Sequence, residues 1–219
     1  MTPRISSMPS SKGLHNPAVM IVAALLSGVA VGVGTQLLQG VLPEAWGVLA
    51  NSGVIWALAA FALGTTLRSF PVAMIGGALQ LVAASAMYSL AVDWFEGGSF
   101  SVRGAVIWSI AGTCCGIVFG AAGHGFARSS ATRPGGVAVV AGTMFVEGAY
   151  LTWHVGNATL RPAGLVELVV AGGLAGWALV EQARHDPSNS LWHVFAALAT
   201  SIVATVAAGV VIQRSFALW

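Results

Sequence analysis

One carboxylate, Glu147, stands near the middle of an apolar run, residues 134–155 (PGGVAVVAGTMFVEGAYLTWHV). An acidic side chain at the centre of a membrane helix costs roughly 2.5–3.5 kcal/mol on insertion scales, and such residues face an interior and act there. Positions four and seven apart share a helix face, which groups Thr143, Tyr150 and His154 with Glu147, with Leu151 beside them. Two further acids are candidates to work with it. Asp93 ends a third apolar run beside Trp94, and Glu167 falls about a turn and a half inside a sixth. Tyr150, His154, Trp153, Trp56, Trp108 and Asn51 are the candidate binding residues, with Tyr88 and Phe145 as further deep aromatics.

Desolvation disfavours a charged carboxylate, and a neutral carboxylic acid is a proton donor. Aromatic faces stabilise a desolvated cation through the ring quadrupole. Acid and aromatics together suit protonation of an alkene or epoxide on a hydrophobic chain, followed by ring closure. The alternative is a small-molecule binding or transport subunit with an outward-facing pocket, in which Glu147, Trp153, His154 and Asn51 hold a ligand instead of reacting. Glu147→Gln is expected to fold and insert under either reading, because the amide keeps hydrogen bonding. Other roles compete for individual residues. Trp46, Trp94, Trp153 and Trp192 lie where an interfacial aromatic belt is expected; Glu44, Asp93 and Glu96 fit solvated loops, and His154 fits a polar interface.

Other chemistries lack their residues. No phosphate-binding GxxxxGK[ST], dinucleotide-binding GxGxxG in a strand–helix context, HExxH or CxxC occurs, and the histidines are dispersed, so neither a metal nor a cofactor is expected. Two aspartates in the whole chain leave no acidic segment for a magnesium–diphosphate pair. The adjacent Cys114 and Cys115 have no ligand spacing and read as small core fillers.

The elements that must position these residues follow from composition. Of 219 residues, 57% are hydrophobic and 7% charged, against about 25% charged in soluble domains. Mean hydropathy is +0.84. The fold class is therefore an all-α polytopic membrane bundle, with the lipid bilayer as partner and no nucleic acid. Eight arginines and one lysine, scattered singly, are topology signals.

Seven runs reach the length of about 20 residues that the hydrocarbon core requires: 17–39, 46–67, 71–92, 102–126, 134–155, 162–182 and 191–212. Pro71, Pro134 and Pro162 fall in first turns, where a missing N–H costs least. Asn51, Ser52 and Gly53 interrupt the second run, and a re-entrant second segment would leave six spans. The chain divides into a tail (1–16), one transmembrane domain (17–212) and a short C-terminal tail (213–219). Placing the N-terminus in the cytoplasm of a cell-membrane protein puts Arg4, Lys12, Arg68, Arg128, Arg133 and Arg184 inside and Arg103, Arg161 and Arg214 outside, as the positive-inside rule favours. Five acids (Glu44, Asp93, Glu96, Glu147, Glu167) then belong to the outer half, with Glu181 and Asp186 inside. An outward-opening polar cavity with Glu147 at its floor is expected. Small-residue rows at Gly28/Gly32, Gly112/Gly116/Gly120 and Gly172/Gly176 are expected to pack helices closely, within the bundle or between copies.

In size, span number, the stretch FVEGAYLTWH and the acids of the outer half, the chain resembles the bacterial membrane-bound terpene cyclases that act on prenylated indole-type substrates. The resemblance implies a hydrophobic small-molecule substrate, no metal, and an acidic proton donor, for which Glu147 is the natural counterpart, with Asp93 or Glu167 as a second acid. The chain is also similar to uncharacterised small multi-span membrane proteins of actinobacterial type, through an NSGxxWAL stretch (51–58) and FVEG; that similarity implies no function.

Overall fold

A computed structural model describes residues 16–97, 101–185 and 191–217. The tail bearing Arg4 and Lys12 and the loop residue Asp186 lie outside the described residues. Every regular element is helical: α1 Pro17–Val41, α2 Glu44–Ala50, α3 Gly53–Thr66, α4 Phe70–Glu96, α5 Val102–Arg128, α6 Arg133–Ala149, a π-helical turn Tyr150–His154, α7 Arg161–His185 and α8 Leu191–Ala217. Seven helical segments are long and apolar enough to cross a membrane, with α2 and α3 counting as one and α6 continuing through the π turn as another. The chain is a multi-pass, all-α membrane protein, and the interrupted run is among the seven segments long and apolar enough to span.

Local chemistry sets the boundaries. Asn16 caps α1 by accepting from the Ala18 amide at 2.9 Å, and Ser101 caps α5 by accepting from Gly104 at 3.1 Å. Gly97 (φ 64°) ends α4 in the left-handed conformation, and Gly156 (φ 69°) follows the π turn.

Close backbone approach binds the first half of the bundle. A Cβ at Gly28 or Gly32 would collide with the carbonyls of Gln80 and Ala84, so α1 lies directly on α4. Gly77 of α4 faces Gly116 of α5, and Gly120 meets Ala73, so α4 and α5 touch along their backbones. The second half joins α6 to α7 at Gly148 and Gly164, and α6 to α8 at Gly142 and Ser201. A shared cluster of Val54, Ala57, Leu81, Phe119, Val140 and Ala171 ties α3, α4, α5, α6 and α7 together.

Two expectations need correction. The row Gly172/Gly176 on α7 does not pack within the bundle: a Cβ at either position meets no atom of the described chain within 4 Å. Cys114 and Cys115 are exposed rather than core fillers, because α5 turns its glycine row toward α4 and carries the thiols on other faces.

The spans leave two ends. One carries Arg68, Arg128, Arg133 and Arg184; the other carries Glu44, Glu96, Arg103, Arg161 and the π turn. They are called below the Arg128 end and the Glu96 end.

Candidate functional site

The break in the second span organises the site. A helix interrupted inside a bilayer leaves amides and carbonyls with no water to satisfy them, at several kcal/mol each. Ser52 is the N-cap of α3, its hydroxyl accepting from the Val54 amide at 3.1 Å and from Ile55 at 3.4 Å. Glu147 reaches across from α6, takes the Gly53 amide and shares the Val54 amide with Ser52. Its Oε1 accepts from Gly53 N at 3.2 Å and its Oε2 from Val54 N at 3.0 Å. A carboxylate at a helix N-terminus also meets the positive end of the helix dipole. Glu147 is thus an N-cap supplied by a neighbouring helix.

Glu167 arrives from α7 on the other side of the same cap. It is 3% exposed, and its Oε1 accepts from the Ser52 hydroxyl at 3.3 Å. Its other oxygen is buried without a hydrogen-bond partner. Close packing at Gly148 brings the two helices together: a Cβ there would crowd the Gly164 carbonyl and the Glu167 side chain. Two acids from two helices therefore converge on three consecutive residues, Ser52, Gly53 and Val54.

A hydrogen-bonded layer lies between this cluster and the Glu96 end. The Trp56 indole donates to Thr35 Oγ1 at 3.0 Å, and Thr35 donates to the Ala50 carbonyl at 3.2 Å, which satisfies a group freed by the break. Asn51 Nδ2 donates to Tyr88 OH at 3.4 Å, and Tyr88 donates to Gln39 Oε1 at 3.0 Å. Gln36 Nε2 donates to Glu96 Oε1 at 2.6 Å, and Asn157 Nδ2 to Glu44 Oε1 at 3.0 Å. Trp56 and Tyr88 meet edge to face with centroids 5.6 Å apart, an attractive geometry for two rings.

Opposite the break, the C-terminal end of α3 is held by cationic and imidazole groups. The Leu67 carbonyl accepts from Arg128 Nη2 at 2.9 Å and lies 3.0 Å from His124 Nδ1.

The residues singled out from sequence divide into two groups. Glu147, Glu167, Asn51 and Trp56 come together around the break. Asp93 lies half-buried in the last turn of α4 and takes no part in the bonds to Ser52, Gly53 and Val54. Tyr150 and His154 stack on each other at 5.1 Å in the π turn, both exposed, with Gln213 Nε2 3.5 Å from Tyr150 OH. The π turn inserts a residue into the helical register, which defeats counting by sevens from Glu147. Trp153 is 69% exposed and Trp108 49%; both look outward from the bundle. Thr143 bonds Ser201 of α8 at 3.0 Å instead of sharing the Glu147 side.

Ser52, Thr35, Gln36 and Gln39 were not singled out as site residues. The pattern TQLLQ near the end of the first run, facing an NSG break in the second, is the signal that would have found them. Two open surface grooves lie elsewhere, between α4 and α5, lined by residues such as Val82, Val106, Thr113 and Ile117. Among the described residues no group of three or more His, Cys, Asp or Glu converges as a metal site.

No curated protein and no solved structure matches the chain. A family profile does, over residues 11–214, and on that near-complete match the chain belongs to DUF6518, a family of unknown function.

Proposed function

We propose that the protein binds a small polar solute in passage across the cell membrane, at the break in its second span. The observation that carries this reading is the convergence of Glu147 and Glu167 on Ser52, Gly53 and Val54. Discontinuous helices whose ends point at a shared site are the way bilayer-embedded carriers present polar groups to a solute. The exposed Asn51 side chain stands between the pair and the Glu96 end. The Glu96 end faces outward and the N-terminus lies in the cytoplasm, by the excess of arginine at the Arg128 end.

A second reading, acid-initiated cyclisation of a prenyl chain on an indole-type scaffold, draws on the Trp56–Tyr88 pair beside the break, since aromatic faces suit a carbocation. It is the weaker of the two. Both Glu147 oxygens accept backbone N–H bonds, so the group is engaged as a helix cap rather than presented to a chain.

One experiment separates the readings. Purified protein in lipid nanodiscs is exposed to a cell extract, washed, and its retained small molecules identified by mass spectrometry; a parallel sample receives prenylated indoles. Solute binding predicts a retained polar compound, held about fivefold less tightly by Asn51→Ala, the equivalent of roughly 1 kcal/mol for one hydrogen bond. Cyclised prenyl product with no retained solute would overturn the proposal in favour of the second reading.

A further inference from the structure

The Glu147–Glu167 pair has more negative charge than its surroundings can hold. Glu147 is matched: each oxygen accepts an amide at the positive end of α3. Glu167 is not. It is buried, it receives one hydroxyl hydrogen bond at 3.3 Å, and its second oxygen has no partner. Ser52 has a single hydroxyl proton to offer the two acids, and its lone pairs serve Val54 and Ile55. A second carboxylate charge at that position would be uncompensated in the bilayer, which the chain can avoid by neutralising it.

Among the described residues no basic group pairs with Glu167. The other charged and titratable residues of α7 are Arg161 at its first position and Glu181, Arg184 and His185 in its last turns, and those of the elements packed on it are Glu44 of α2, Arg133 and Glu147 of α6, Tyr150 and His154 of the π turn, and His193 and Arg214 of α8; α3 has none. Of these, Glu147 is the charge that acts on Glu167, and it repels. A metal cation would need several free oxygens and room beside them, whereas the unpartnered oxygen of Glu167 is fully enclosed. A proton needs neither.

We infer that Glu167 holds one exchangeable proton for the pair, so that the break in the second span is a proton-binding site. The proton comes from water and converts a carboxylate to a neutral acid; no other bond changes. Glu167 lies six residues from the first residue of α7, about 9 Å along the axis at 1.5 Å per residue, so the proton has a short path to the Glu96 end. This deepens the proposed solute site by making the proton its coupling ion, and it rests on that reading for its purpose though not for its existence.

The test is infrared spectroscopy of the protein in nanodiscs, in H2O and D2O near neutral pH. The wild type is expected to show the carbonyl stretch of a protonated carboxylic acid, shifted in D2O. Glu167→Gln removes the band entirely. Ser52→Ala keeps it but moves its frequency, because the hydrogen bond to the acid carbonyl is gone; this variant decides the matter if Glu167→Gln does not fold. Absence of the band in wild type, its survival in Glu167→Gln, or an unmoved band in Ser52→Ala overturns the inference. A Glu167 band without any retained solute leaves the proton site standing and removes the transport reading. A retained solute without the band does the reverse.

Discussion

Replacing Glu147 by glutamine tests whether the carboxylate is the cap of a broken helix. From sequence, the amide looks like a harmless isostere. The hydrogen bonds contradict that expectation, since both oxygens of Glu147 accept from backbone amides, Gly53 at 3.2 Å and Val54 at 3.0 Å. Glutamine has one oxygen to accept and an NH2 that must face a second donor. A hydrogen bond to a charged group contributes about 1.5–3 kcal/mol, and a neutral one about 1 kcal/mol. Losing two of the first kind and regaining one of the second gives a destabilisation of about 3 kcal/mol for Glu147→Gln. Glu147→Ala, which regains nothing, should cost about 4 kcal/mol on the same basis.

The mechanism makes a sharper demand. Gly53 is the first residue of α3, where proline is tolerated, and Ser52 before it is already extended (φ −67°, ψ 132°). Gly53→Pro therefore deletes one of the two donors without unwinding the helix. In that background the glutamine NH2 has no amide opposing it, and Glu147→Gln should cost about 1 kcal/mol less than it does alone. Reversible unfolding in mixed micelles of mild detergent and dodecyl sulfate, followed by loss of helicity, supplies all four corners of the cycle. A Glu147→Gln protein within 0.5 kcal/mol of wild type, or a cycle with no coupling, would refute the capping role.

Three further outcomes follow from the packing and the ends. Gly116→Val drives a side chain into the Gly77 carbonyl and should destabilise by about 3 kcal/mol, whereas Gly172→Ala, facing open space, should lie within about 1 kcal/mol of wild type or be stabilising; the same unfolding assay compares them. Arg128→Ala removes a charged donor from the Leu67 carbonyl and should cost about 2 kcal/mol, with Arg128→Lys recovering part of it. In a Cys114→Ala/Cys115→Ala background, an impermeant maleimide applied to intact cells should label Ala158→Cys, between α6 and α7, and spare Ser130→Cys, between α5 and α6; the opposite pattern would invert the proposed orientation.

The spans were legible because bilayer thickness imposes a length and an apolarity on each, and prolines mark first turns, as Pro71, Pro134 and Pro162 do. Glycine rows on α1 and α5 declared their seams for a similar reason: close backbone contact needs small residues at fixed spacing. Gly172 and Gly176 carry the same pattern and meet no other helix of the bundle, since spacing states what a face allows and not what covers it. Glu147 was found by its cost. Its partners were not, because helix order is a property of the whole bundle. His154 was grouped with it by a heptad count that the π turn breaks. Ser52 was noticed as an interruption of a span, while its role as the residue shared by two acids depends on α7 lying beside α6.

The half-helix α3 explains why the charge at Glu147 is kept. Fourteen residues long, it begins inside the bilayer and ends at Leu67. Its N-terminal amides are held by Glu147 and its C-terminal carbonyl by Arg128 with His124 alongside, so opposite charges sit where the helix dipole wants them. Glu147 therefore has a structural task that accounts for one buried acid in full. It does not account for the second. Removing Glu167 would leave α3 capped by Ser52 and Glu147 as before, and an apolar residue in its place would spare the chain a buried polar group with an unpartnered oxygen. A group that the fold does not need, set against one that it does, is where a bundle of this kind can place its function.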